Sequence, residues 1–566
     1  MRLFSTKNLG AFAPCAALWM MLLAGGAAFA DNSKISPDLL PLLGNPNNSI
    51  NVIVQYQPQS GGLLGGLVNL LDGLLNTVFS LLNAGTAILH PGDIVNLSNQ
   101  SNVNYITLDR PVVGMLDYTA AAVNAQYDWN LGLNGTGVGI AIIDSGVYAH
   151  PDLNTANGLQ SRIVYRQSFI GGTQSDDYGH GTHVAGIAAG NGTSSEGAGA
   201  FRSFKGIAPN ANIIDLRVLD AHGASSDSAV IKAIQQAVQL KSKYNIRVIN
   251  LSLGRPIFES CNRDPLCQAV EAAWANGIVV VTAAGNFGRN GYSTILSPGN
   301  SPHAITVGCM KTMATNTRND DLIASYSSKG PTYIDLTVKP DLVAPGNLVD
   351  SLLAPGSTLA GEYPGNVVAS SQYTTSINPG PGRYIQLSGT SMATPVVSGT
   401  VALMLQKNPG LNPDTVKARL MKSASKNFPF SSTAVEPSTG ATYTSNYDLF
   451  TVGAGYLDAH AAVLNTDTVY GSAASPIATY FPLLGLALIL PNHSESWWTS
   501  PAMGTSAVWG STVIQPSSAV WGSSAVWGSS AVWGSSAVWG SSAVWGSSAV
   551  WGSSAVWGST TGPGEN

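Results

Sequence analysis

Charged side chains are scarce, at only 10% of the 566 residues. An ordinary soluble domain carries about 25%, so here Ser, Thr, Asn and Gly must supply the surface polarity. The 26 Lys and Arg residues do not outnumber the 31 Asp and Glu, and they form no cluster. Phosphate binding needs a basic face, so a nucleic-acid partner is excluded. Four cysteines are too few for a disulfide scaffold. Beyond the N-terminus no stretch reaches the ~20 apolar residues of a bilayer span, which excludes a multispan membrane protein. What is present in quantity is apolar residue (44%), with 62 Gly and 31 Pro. The chain can bury a large core and is rich in turns, and its length allows about four domain-sized units.

The first thirty residues read as an address. Arg2 and Lys7 precede the apolar stretch from Ala11 to Leu23, and Ala28-Phe29-Ala30 places small residues where a signal peptidase reads, with Asp31 following. The protein is therefore expected to be exported: secreted, at the cell surface or periplasmic. Cys15 leaves with this signal. Cys261 and Cys267 enclose five residues, Asn-Arg-Asp-Pro-Leu, and are the expected disulfide in an oxidising compartment. Cys309 ends the apolar run from Ala304 to Val307 and reads as a small buried hydrophobe.

Four regions follow. Residues 31–120 contain two strand-like runs, Ile50 to Tyr56 and Asn104 to Leu108. Between them a Gly/Leu-rich stretch, Gly61 to Asn83, has helical spacing in places, and the whole reads as a small αβ unit. Residues 121–465 alternate. Val138 to Ile143, Ile246 to Leu251, Ile278 to Thr282 and Ala304 to Val307 are nearly continuous apolar runs, as expected of strands buried on both faces. Val230, Ile231, Ile234, Ala237 and Val238 form a helix stripe, and Leu266, Val270, Ala273 and Trp274 form another. Such alternation predicts a doubly wound α/β domain with a mostly parallel sheet. Residues 466–505 read as a linker whose apolar run, Phe481 to Leu490, is too short to span a bilayer. Residues 506–566 hold a hexapeptide array in which a Trp within Ala-Val-Trp-Gly recurs at every sixth position from Trp521 to Trp557. Six is a multiple of the strand period and not of the helical one, so the array signals extended chain or a low-complexity tail.

Three motifs carry chemistry. Asp144, in Ile142-Ile-Asp-Ser-Gly146, ends a buried strand. His180, in His180-Gly-Thr-His-Val-Ala-Gly186, stands where a Gly turn becomes a small-residue helix. Ser391, in Leu387-Ser-Gly-Thr-Ser-Met-Ala-Thr-Pro395, opens an apolar helix. Sites in doubly wound sheets form at the carboxyl ends of strands, so the three can converge. A serine hydroxyl needs a base to become a nucleophile, and an imidazole base needs a carboxylate to fix its tautomer. A helix N-terminus beneath Ser391 offers N–H groups to an oxyanion. Val281-Thr-Ala-Ala-Gly-Asn286 brings an amide, Asn286, to another strand end.

Together these motifs resemble the subtilisin-like serine proteases. Asp-Ser-Gly, His-Gly-Thr-His-Val-Ala-Gly and Gly-Thr-Ser-Met-Ala-Thr-Pro match that family's pattern almost letter for letter, in the family's order Asp, His, Ser. Gly453-Ala-Gly-Tyr-Leu-Asp-Ala459 is similar to its last catalytic segment. The resemblance covers roughly residues 125 to 460. It implies that Asp144, His180 and Ser391 are the triad and Asn286 the oxyanion-hole amide, while His183 is a helix residue. An α/β-hydrolase is disfavoured, because residue 393 is Ala where its elbow wants Gly and because its order is Ser, Asp, His.

The resemblance also implies a substrate side. Ser252-Leu253-Gly254 is similar to the family segment that pairs, as a strand edge, with extended substrate backbone. Leu296 aligns near the floor of the primary pocket, where it would favour small or medium side chains; the alternative is an ordinary core leucine. Phe287 stands where an acidic residue would attract basic ones, so no strong Lys/Arg preference is expected. His150-Pro-Asp152-Leu resembles a stretch whose Asp ligates structural calcium, although the partner loop is replaced here by the longer Asn191 to Lys205. No cofactor is required by the chemistry. Residues 31–120 fit a propeptide that assists folding and inhibits the cleft, released by Ser391 within residues 110–128. The Trp array suggests attachment to a surface or a polysaccharide by stacking. The expectation is thus a monomeric, self-processing endopeptidase acting on polypeptides. The competing reading is a surface-binding protein that uses a protease fold as scaffold.

Overall fold

The computed structural model describes residues 31–490, except 37–38, 58–74, 80–83, 109–117, 198, 376–379, 437–438, 470 and 482–485. The expected signal segment, part of the Gly/Leu-rich stretch and the Trp array lie outside the described residues. The chain divides into two compact units, Met1–Val112 and Val113–Asn566.

In the first unit, β1 (Ile50–Tyr56), β2 (Leu75–Phe79), β3 (Ala84–Leu89) and β4 (Val103–Leu108) form an antiparallel sheet in the order β2-β3-β1-β4, with α1 (Pro91–Ser98) between β3 and β4. Val52, Val54, Leu89, Ile94 and Ile106 make its core. The alternation of β1 is legible in its sequence, since Ile50, Val52, Val54 and Tyr56 are buried and Asn51 and Gln55 exposed. Leu75–Phe79 corrects the helical reading of its stretch. It pairs with β3, and its Thr-Val-Phe content suits a pleated edge better than a helix.

In the second unit β5 (Gly139–Asp144), β6 (Ile163–Ser168), β7 (Asn212–Arg217), β8 (Ile246–Leu251), β9 (Val279–Ala283), β10 (Ile305–Lys311), β11 (Leu322–Ile323) and β12 (Leu342–Pro345) make one sheet. Its order is β11-β10-β9-β8-β5-β7-β6, with β12 also on β10, and every pair is parallel except β10 with β11. The chain leaves β5 toward β7 and β6 and later returns to β8 on its other side, so β5 stands at the switch of strand order. Ligands bind at such a point in open α/β sheets.

Helices α2 (His180–Ala189), α3 (Asp227–Tyr244), α4 (Pro265–Ala275) and α5 (Thr390–Lys407) sandwich this sheet. α2 packs on α5 and α3 on α4, while β5 and β8 touch α5 and α3 alike. With both faces covered, every residue of β5 and β9 is buried, which is why both read as nearly continuous apolar runs. Asp264 caps α4 by accepting the Leu266 N–H at 2.9 Å, with Pro265 at the first helical position. Cys261 is bonded to Cys267 of α4, their Cα atoms 5.3 Å apart.

The stretch expected to be linker begins as part of this unit. Val469, Ala473, Ala474 and Ala478 are buried. The Val338 N–H donates to the Pro476 carbonyl at 2.8 Å and the Ala478 N–H to the Leu336 carbonyl at 2.9 Å. Ser475 Oγ donates to Asp341 Oδ1 at 2.6 Å and accepts from Lys417 Nζ at 2.8 Å, within a buried Lys339–Asp341–Lys417 cluster. The boundary at 465 therefore moves to about 479, since small Ala and Ser side chains let this strap sit flush on the domain. Its end enters β13 (Ile477–Phe481), which pairs antiparallel with β14 (Leu486–Leu490).

Candidate active site

The three expected side chains stand at the ends of three elements, and α2, which carries His180, packs on both β5 and α5. Asp144 closes β5 and is fully buried. His180 opens α2 directly after Gly179, whose left-handed φ of +100° turns the chain into the helix. Ser391 is the second residue of α5 and fully buried. The His180 Nδ1 and Asp144 Oδ1 atoms lie 2.8 Å apart. The same carboxylate oxygen accepts the Ser145 N–H at 2.7 Å. A carboxylate supplies only acceptors, so Nδ1 carries the proton and Nε2 is left as the basic atom. Nε2 is buried with no hydrogen-bond partner among the described residues. Burial pushes the His180 imidazolium down, but the charge and hydrogen bond of Asp144 and the charge of Asp176 together carry it above the ordinary 6.5.

Ser391 is held through its backbone. Residue 395 is Pro, which has no N–H, so the Ser391 carbonyl lacks the donor a helix would give it four residues on. Ser252 Oγ donates there instead, at 2.8 Å, and itself accepts from Asn250 Nδ2 at 3.0 Å. The Ser391 hydroxyl in turn donates to the Ser252 carbonyl at 3.1 Å. To engage His180 it must turn away from that acceptor.

Asn286, half-buried after β9, is oriented by the start of α5. Its Oδ1 accepts from the Thr390 N–H at 2.9 Å and from Thr390 Oγ1 at 3.2 Å. The Thr390 N–H can only donate, so it is the amide oxygen that faces Thr390, whose Oγ1 also accepts the Gly285 N–H at 3.1 Å. The amide is thus fixed with its Nδ2 side turned away from Thr390. An amide donor beside the positive end of a helix dipole is an arrangement that suits an oxyanion.

Ser252, Leu253 and Gly254 continue beyond β8, and Arg255 and Ser297 exchange backbone bonds at 2.8 and 2.7 Å. Leu296 is buried between two of these turns: a Cβ on Gly254 would lie 3.0 Å from Leu296 Cβ, and one on Gly285 2.8 Å from Leu296 Cγ. It therefore lies between the Ser252–Gly254 segment and the turn that carries Asn286.

His183 has a different function from His180. Its Nε2 lies 3.0 Å from the carbonyls of both Val349 and Ile385, and burial depresses its titration to about 3. It is a neutral strut. Asp152 is also a strut. Its Oδ1 accepts the Ser194 N–H at 2.8 Å and its Oδ2 the Tyr384 hydroxyl at 2.7 Å. Each of its oxygens thus has a protein donor, and the described residues contain no group of three or more His, Cys, Asp or Glu able to hold a metal. Cys309 is buried, its Sγ 3.2 Å from the Tyr326 hydroxyl.

Sequence reading did not single out Asp176, whose charge acts on His180. Its only signal was an acidic residue shortly before a helix start, in a stretch that otherwise reads as a turn.

Comparison with known proteins places these residues among relatives. The profile of the Subtilase family matches residues 135–455. The serine protease AprX of Bacillus subtilis is 38% identical over 339 residues, covering 58% of this chain and 71% of that protein. Subtilisin BL of Lederbergia lenta is 34% identical over 304 residues, covering 53% of this chain and 88% of that protein. Among solved structures, that of sphericase is 27% identical, covers 57% of this chain and 92% of that one, and has a TM-score of 0.41.

Proposed function

The chain belongs to the subtilase family and is a subtilisin-like serine peptide hydrolase, and from that premise we propose that Asp144, His180 and Ser391 are its triad and Asn286 its oxyanion donor. The observation that carries this reading is the 2.8 Å bond between His180 Nδ1 and Asp144, which leaves Nε2 as the base.

In the proposed reaction Nε2 takes the Ser391 proton as Oγ attacks the substrate carbonyl. The Asn286 amide and the N-terminal dipole of α5 stabilise the oxyanion, and Asp144 stabilises the imidazolium. His180 then protonates the leaving amine. Water, deprotonated by the same Nε2, resolves the acyl-enzyme. No step needs a cofactor. Ser252–Gly254 binds extended substrate as an added strand, and Leu296 limits the depth available to its side chain.

The protein is proposed to be an exported, monomeric endopeptidase made as a zymogen, with the first unit as its intramolecular inhibitor and the Trp array as an attachment segment. No described helix is long and apolar enough to cross a membrane. The test is the N-terminal sequence and mass of the secreted protein beside its Ser391→Ala variant. Self-processing predicts a wild type that starts within residues 110–128 and a variant that starts at Asp31. Identical starts would contradict it.

A further inference from the structure

Asp176 receives four hydrogen bonds and takes no direct part in the proposed proton transfers. It lies four residues before His180 and is 5% exposed. Its Oδ1 accepts from Ser145 Oγ at 2.8 Å and from the Gly179 N–H at 2.7 Å. Its Oδ2 accepts from the Thr182 N–H at 2.8 Å and from Thr182 Oγ1 at 2.5 Å. Each hydroxyl also accepts one backbone N–H, which leaves its own proton available to Asp176. Ser145 Oγ accepts the Gly181 N–H at 2.9 Å, and Thr182 Oγ1 accepts the Tyr148 N–H at 2.8 Å. Burial raises the titration of Asp176 and these bonds oppose it; four donors on four lone-pair positions is the pattern of an ionised carboxylate.

The positions of these donors matter as much as their number. Ser145 follows Asp144, whereas Gly179, Gly181 and Thr182 surround His180 at the start of α2. The residue preceding α2 is Gly179, which has no side chain to cap the helix, so Asp176 performs that task from three positions earlier. There is no slack between the two segments it joins. A Cβ on Gly181 would lie 2.2 Å from the Gly146 carbonyl oxygen and 3.1 Å from Asp144 Cβ.

We propose that Asp176 is a positioning residue of the triad: a buried anion that clasps the end of β5 to the first turn of α2, fixes the Asp144–His180 hydrogen bond, and favours the imidazolium formed during reaction. This rests on the triad reading above. Other charged or titratable groups face the same place. His180 is faced by Asp144 from β5 and by His183 on its own helix, with the Tyr178 ring 6.2 Å away. Asp176 is faced by Asp215 of β7, which Arg166 of β6 and Arg217 of β7 partly compensate. Asp177 pairs with Arg217 at 2.8 Å, near the surface.

The test replaces Asp176 by Asn, which keeps the shape but points an amide N–H at two existing donors. Rates are taken per active site titrated with a fluorophosphonate, so misfolded molecules do not count. For Asp176→Asn, kcat/KM is expected to fall about tenfold or more with KM little changed, because small misplacements of reacting groups are costly. The acid limb of its kcat/KM profile is expected to move to lower pH, since the imidazolium has lost a nearby anion. Asp177→Asn, one position on but exposed, is expected to leave both in place. Ser145→Ala cuts the clasp without changing charge, and is expected to lower kcat/KM with the acid limb unmoved. It decides the matter if Asp176→Asn does not fold. Wild-type rates and an unmoved limb in Asp176→Asn, or a wild-type rate in Ser145→Ala, would overturn the inference. Ser391→Ala is measured alongside. Its loss of activity beside a normal Asp176→Asn would overturn this inference alone, whereas retained activity would overturn the triad reading as well.

Discussion

Replacing Ser252 by Ala tests how the proposed nucleophile is held. The change removes the donor to the Ser391 carbonyl at 2.8 Å and the acceptor of Asn250 Nδ2 at 3.0 Å. Because residue 395 is Pro, no helix N–H can take over. A buried polar group left unsatisfied costs about 1–3 kcal/mol, so a loss of about 2 kcal/mol is expected. Pro395→Ala restores an N–H four residues beyond Ser391. In that background the carbonyl stays satisfied, and the cost of Ser252→Ala should drop to about 1 kcal/mol, that of the Asn250 partner alone. The resulting coupling of about 1 kcal/mol exceeds the ~0.3–0.5 kcal/mol within which independent sites add. The cycle is measured by urea unfolding on a Ser391→Ala background, which keeps the carbonyl and prevents self-digestion. Additivity of the two changes would refute the reasoning.

Other expectations are more local. Asn286→Ala should lower kcat by about 10²–10³ with KM little changed, the worth of one preorganised oxyanion donor; a fall below tenfold in titrated enzyme would count against its role. Leu296→Gly opens the space between Gly254 and Gly285. It should raise kcat/KM for Phe relative to Ala before the scissile bond by about tenfold, and an unchanged ratio would place Leu296 outside the pocket. Ser475→Ala deprives Asp341 and Lys417 of a shared partner in a buried charge cluster and should destabilise the domain by about 1–3 kcal/mol in urea unfolding. A neutral result would return residues 466–479 to the status of a linker.

Local pattern made the central strands and the site motifs legible. β5, β8, β9 and β10 announced themselves as nearly continuous apolar runs because both faces of the sheet are covered. Asp144, His180 and Ser391 each stand at a strand end or helix start beside glycine, and motif alone brought them forward. β6 was missed, since only its first residue is buried and Arg166 and Gln167 interrupt the run. The strap of residues 466–479 was missed because it docks through Ala and Ser against distant Lys and Asp, which leaves no periodicity. Asp176 was missed for a similar reason. Its meaning depends on Ser145, 31 residues earlier, and no local pattern encodes that contact. Ser252 was read as substrate-binding backbone. The role of its hydroxyl emerges only when Pro395 is seen to continue a helix that a proline would ordinarily break.

The most direct measurement is the site of covalent modification by a fluorophosphonate, located by peptide mass, in the wild type and in His180→Ala. The account predicts one adduct, on Ser391, formed in step with loss of peptidase activity, and near absence of labelling when His180 is gone. Loss of activity with the adduct elsewhere, or peptidase activity surviving full modification of Ser391, would contradict it.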